Sequence, residues 1–136
     1  MSLMQSIPTP VLEVFQSIDA NHRETLLDVR ELIFDVVAGD SRIGLIEETL
    51  RWGEPAYVTT KNKTGSTIRL NIEKNTGMPA LFFNCKTKLV EEFRQQFGSE
   101  LTYSKNRAVL LDGDIGQHNS ALRTCIAAAL TYHLRS

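Results

Sequence analysis

Much of what usually announces a function is missing from this chain. Its 136 residues include only two cysteines, and fifteen basic against sixteen acidic side chains leave a formal charge of -1. A charge so near zero creates no field to gather nucleic acid or an anionic membrane surface, so neither is an expected partner. No apolar run approaches the roughly 20 residues needed to span a bilayer, and the N-terminus lacks the basic-then-apolar layout of a secretory signal. The expected location is the cytoplasm. Cys85 and Cys125 belong to no CxxC or CxxxC pattern and are expected as two reduced thiols, with neither zinc nor a disulfide.

Catalytic motifs are equally scarce. His22, His118 and His133 fall in no HExxH arrangement. His118 and His133 share the apolar stripe of a predicted final helix, but about 22 Å of helix separates them, so they cannot ligate one metal. They read as histidines at the edge of the core. Gly113-Asp114-Ile115-Gly116 fits no phosphate-binding frame, no serine sits in GxSxG, and no triad or carboxylate dyad can be assembled from spacing. The expectation is a protein that is not an enzyme. An enzymatic alternative would centre on His118 or on Cys85, which Lys86 and Lys88 flank just ahead of a helix N-terminus, a setting that lowers a thiol pKa.

What is present is a foldable chain. Hydrophobic residues make up 42% and charged residues 23%, a composition that folds and is too apolar for disorder. With no repeat or linker, residues 4–136 read as a single domain, and Met1-Ser2-Leu3 ahead of Met4 reads as an expression scar.

Val11, Val14, Phe15 and Ile18 predict a short first helix, and Asn21 with Glu24 suggests a capping-box start for a second that ends at Gly39. Asp40 or Ser41 would cap a third helix, with Ile43, Ile46 and Leu50 on one face, stopped by Gly53 and Pro55. The period then changes to two. Residues 56–60 and 66–73 predict a hairpin with one wet face, and Ala80-Leu81-Phe82-Phe83 predicts a central strand covered on both sides. Thr87 caps a helix with Leu89, Val90, Phe93 and Phe97 in its stripe. A second hairpin surrounds Lys105-Asn106, and Asp114 with Gln117 opens a last helix from Ile115 to about Leu134.

The order is α-α-α-β-β-β-α-β-β-α. It predicts an α+β fold with a largely antiparallel sheet of about five strands and helices packed on it.

Two groups of residues stand out. On the second helix Glu24, Asp28, Glu31 and Asp35 fall within about 60° of one another and form a carboxylate stripe, the chemistry of a shallow site for a hard divalent cation. Across the same helix, Arg30 interrupts the apolar arc of Leu26, Ile33 and Val37, and a guanidinium there needs a partner. Glu54 is the expected partner, with Trp52 stacked on the guanidinium. Arg30, Trp52, Glu54 and Tyr57 would then line the helix-to-sheet junction as a clamp or as the floor of a ligand pocket, which the strand face of Thr67, Arg69, Asn71 and Glu73 could extend.

The runs Leu26 to Ile33 and Ile46 to Tyr57, the latter ending Leu-Arg-Trp-Gly-Glu-Pro-Ala-Tyr, resemble the YdhG-like family of domains of unknown function. The resemblance spans about residues 10 to 134, with Val29-Arg30 in place of a Leu-Arg pair. It implies a compact α+β fold, a bacterial cytoplasmic setting and no established catalytic residue. Some relatives are described as frataxin-like iron chaperones, a role that would use exposed carboxylates. Here the Glu24, Asp28, Glu31, Asp35 stripe supplies them.

The primary expectation is a non-enzymatic binding domain, without a cofactor, that takes a small molecule or protein at the junction. A weak ferrous-iron carrier is the alternative. The apolar flank of the final helix is a candidate homodimer surface.

Overall fold

The computed structural model describes residues 6–113 and 115–135. The expected scar at 1–3 and the cap at Asp114 lie outside the described residues. Two helices open the fold, α1 (Thr9–Gln16) and α2 (Ala20–Ala38). Four strands follow: β1 (Glu47–Arg51), β2 (Glu54–Val58), β3 (Ile68–Ile72) and β4 (Pro79–Phe82). Then come α3 (Leu89–Phe97), β5 (Thr102–Ser104), β6 (Ala108–Leu110) and α4 (Asn119–Leu130). The strands form one antiparallel sheet in the order β1-β2-β3-β4-β6-β5. This is the expected α+β class, with six strands.

The extra strand is the predicted third helix. Ile43, Ile46 and Leu50 are spaced as on a helix, yet residues 47–51 are extended and pair with β2 in a hairpin. The reason lies at its tip. Trp52 and Gly53, with φ of 57° and 75°, form a two-residue loop with both φ values positive, which the type I′ hairpin turn requires. Its backbone twist matches that of the flanking strands. A helix running to Gly53 would leave this reversal unmade.

α2 begins two residues earlier than Asn21 suggests. Asp19 is its N-cap and accepts the peptide N–H of His22 at 3.2 Å, so no Asn21–Glu24 box is needed. The final helix is shorter than predicted, with single 3₁₀ turns at Ile115–His118 and Tyr132–Leu134 on either side of α4.

The helices cover one face of the sheet. Tyr57, Ile68, Leu70, Leu81 and Val109 point to that side and share a core with Phe15 of α1, Leu26, Val29 and Ile33 of α2, Phe93 of α3, and Leu122, Cys125 and Ile126 of α4. The apolar flank of the last helix, expected as a dimer surface, is consumed by this core. Ala80, Phe82, Ala108 and Leu110 form a smaller cluster on the other face, so β4 is buried at every residue.

The loop between β2 and β3 closes over the C-terminal end of α4. Ser66 N–H donates to the Ala129 carbonyl at 2.8 Å, Thr64 Oγ1 donates to the Leu130 carbonyl at 2.9 Å, and His133 N–H donates to the Thr64 carbonyl at 2.7 Å. Carbonyls left open at a helix end are satisfied in this way. Gly65 is required by the close approach, because a Cβ there would stand 2.5 Å from the Leu130 Cα.

Candidate functional site

Arg30 is fully buried, and Glu48 is its counter-ion. Nε donates to Glu48 Oε2 at 2.5 Å and Nη2 to Oε1 at 2.7 Å, with the two side chains 0% and 4% exposed. Such a fork places two charge-assisted hydrogen bonds in one plane. Tyr57 completes the cluster, its hydroxyl donating to Glu48 Oε2 at 2.8 Å. Burial and the neighbouring Glu48 charge push the Tyr57 phenol far above its ordinary pKa, so it remains a donor. The Phe34 ring lies edge-to-face on Tyr57, with centroids 6.0 Å apart, and 4.8 Å from the Arg30 guanidinium carbon. Arg30 Nη2 also approaches the Ser6 carbonyl at 3.5 Å. Among the described residues, Nη1 has no hydrogen-bond partner.

The expected clamp therefore forms with different partners. Sequence reasoning placed Glu54 and Trp52 on Arg30, but the hairpin sends both away. Glu54 lies on the opposite face of the sheet, where it pairs with Arg69 and accepts from Asn71 Nδ2 at 2.8 Å. Trp52 stands at the hairpin tip with 89% of its surface exposed, and Phe34 takes the place beside the guanidinium. Of the four residues expected at the junction, only Arg30 and Tyr57 come together. Residues 46, 48 and 50 share one side of β1 and read Ile-Glu-Leu, so a buried carboxylate masks the alternation that would have identified both the strand and the partner.

A groove of about 400 Å³ runs along α2 beside this cluster. Asp28, Glu31 and Asp35 supply its carboxylates, Leu32, Phe34 and Ala38 its apolar part, and Arg30 and Arg123 also line it. A second groove of about 410 Å³ lies between α2 and the segment after β6, with Glu24 and Asp28 on its wall. The predicted carboxylate stripe is thus divided between two depressions that share Asp28. Asp35 pairs with Arg123. Among the described residues, Glu24, Asp28 and Glu31 have no ion-pair partner. Partial desolvation, followed by the charges of Glu24 and Glu31, holds the Asp28 carboxyl above the ordinary aspartate pKa. No group of three His, Cys, Asp or Glu among the described residues is placed to hold a metal ion.

Neither residue of the enzymatic alternative lines either groove. Cys85 is exposed in the loop after β4. His118 precedes the first turn of α4, half-buried, with no partner for Nδ1 among the described residues. Cys125 is a core thiol that burial pushes up to about 12.

No protein-family model matches this chain, and searches of curated proteins and of solved structures give no match. Among the described residues, no helix is long and apolar enough to cross a membrane.

Proposed function

We propose that this domain is a non-enzymatic binding protein of the cytoplasm, of YdhG-like type, which takes a small organic cation in the groove along α2. One observation carries the reading: Asp28 and Glu31 present two uncompensated carboxylates beside the apolar surfaces of Leu32, Phe34 and Ala38. The volume falls within the range of small-molecule sites, and convergent polar groups over an apolar floor fix a ligand's orientation. Arg30 and Asp35 have their own counter-ions, so the charge still to be met in the groove is negative. An amine bearing an apolar body matches it. Free thiols at Cys85 and Cys125 suit a reducing compartment.

The test is calorimetric titration with spermidine and with agmatine as probes, on the wild type and on an Asp28→Asn, Glu31→Gln double variant. The expected result is binding that weakens at least about tenfold in the double variant. Equal affinity for both proteins, or no heat with either amine, would defeat the reading.

A ferrous-iron carrier is the second reading, favoured by Asp28 lying between Glu24 and Glu31 at the join of the two grooves. The carboxylates suit loose, exchangeable contact with a hard cation rather than an enclosing site. Anaerobic Fe²⁺ titration of the wild type against the Glu24→Gln, Asp28→Asn, Glu31→Gln, Asp35→Asn variant separates this reading from the first. Equal iron affinity would reject it.

A further inference from the structure

We infer that a second copy of this chain docks on β1, antiparallel and centred on Thr49, joining two six-stranded sheets across their β1 edges. The inference is independent of the groove along α2 and concerns an edge that no other described strand covers. Among the described residues, β1 has a strand neighbour on one side only. Arg51 and Glu54 close the two-residue loop as a mutually hydrogen-bonded pair, so Arg51, Thr49 and Glu47 turn their peptide groups toward β2. Glu48 and Leu50 turn theirs outward. On that side the Leu50 carbonyl accepts from the guanidinium of the adjacent Arg51, 3.4 Å away. An exposed row of peptide donors and acceptors is a template for another strand.

The side chains select a second copy of the same strand. A two-fold axis through Thr49 sets Glu48 opposite the partner's Leu50, and Leu50 opposite the partner's Glu48, so the outward peptide groups meet. It also sets Glu47 opposite the partner's Arg51, and Arg51 opposite the partner's Glu47. These fall in the closer, non-hydrogen-bonded type of pair, where opposite charges interact most strongly. Glu47 and Arg51 are both exposed and, among the described residues, have no ion-pair partner within their own chain.

Among the described residues, the two most exposed large apolar side chains flank this same strand, Leu45 at 69% and Trp52 at 89%. Antiparallel docking brings each Trp52 to the Leu45–Ile46 end of the other copy. Tryptophan is enriched among the residues that carry interface binding energy. The opposite sheet edge, β5, has three residues against the five of β1, and carries no such self-complementary pattern.

Sedimentation equilibrium of the full chain from about 1 to 500 μM tests the inference. The wild type should approach twice its 15.3 kDa mass as concentration rises. Glu47→Arg and Arg51→Glu, tested separately, place like charges opposite each other and should each raise the dimer dissociation constant by at least about tenfold. An equimolar mixture of the two variants should form a 1:1 heterodimer, since each then meets its opposite. Emission from Trp52, the one tryptophan of the chain, should shift to the red on dilution of the wild type.

A wild type that stays monomeric over the whole range overturns the inference and leaves Glu47 and Arg51 as charges that guard the edge. A dimer indifferent to both substitutions, or a mixture that fails to pair, overturns it equally.

Discussion

Arg30 and Glu48 form a buried, bidentate ion pair joining the middle of α2 to β1, with Tyr57 holding the carboxylate from β2. Removing one member strands the other charge without water. Glu48→Ala should therefore cost about 3–5 kcal/mol in urea unfolding, whereas an Arg30→Met, Glu48→Leu double variant should lie much closer to wild type. Tyr57→Phe, which removes one hydrogen bond to a charged group, should cost about 1.5–3 kcal/mol.

Trp52 occupies the left-handed region with its side chain in solvent, so the backbone is strained with little burial in return. Trp52→Asn supplies the Asn-Gly pair that the type I′ turn favours. A gain of about 0.5–1 kcal/mol in thermal or urea unfolding is expected, together with weaker self-association. Loss of stability on this substitution would show that Trp52 makes contacts within its own chain.

Asp28 has a raised carboxyl pKa in the folded state, so the folded protein holds this proton up to a higher pH than the unfolded chain does. Stability from this group therefore declines as pH climbs from the unfolded-state pKa through the folded one, and stays lower above it. Asp28→Asn removes that penalty and should raise the melting temperature at pH 7 by about 1–2 °C, in line with the small cost of like charges on one helix face. The advantage should disappear by about pH 3, where the aspartate is protonated in both states.

Gly65 lies against the backbone of Leu130. Gly65→Ala must push the β2–β3 loop off the end of α4 and loosen the hydrogen bonds made there by Thr64 and Ser66. A loss of about 1–3 kcal/mol is expected by urea unfolding, as for other overpacked sites. Faster amide exchange at Ser66 and His133 would locate the damage.

The fold class was legible in the sequence because most strands alternate cleanly and most helices carry an apolar stripe. Ile68, Leu70 and Ile72 identify β3 without help, and Leu89, Val90 and Phe93 identify α3. β1 was hidden because its helix-side residues include Glu48, and a carboxylate at a buried strand position reads as a surface residue. The same substitution concealed the partner of Arg30. A guanidinium in an apolar arc announced that some acid must reach it, but choosing Glu48 over Glu54 depends on which residues of a hairpin face the helices. That follows from the position of the turn. Trp52-Gly53 was the available signal, obscured because tryptophan seldom occupies a positive-φ turn position. The carboxylate stripe of α2 was readable from helical spacing alone; its division between two grooves depends on α4 and the segment after β6, which are distant in sequence.

The hydrogen bonds from Thr64 and Ser66 to the last turn of α4 also bear on when the fold can form. They link residues sixty-six and sixty-three positions apart, and α4 itself supplies Leu122, Cys125 and Ile126 to the main core. The sheet strands from β1 to β6 are complete in sequence by Leu110, yet their helix-covered face stays open until the chain has been made through Leu130. A ribosome-bound chain lacking that last stretch would display an unfinished core, so α4 acts as the closing step of folding, and non-local closure of this kind slows the final transition.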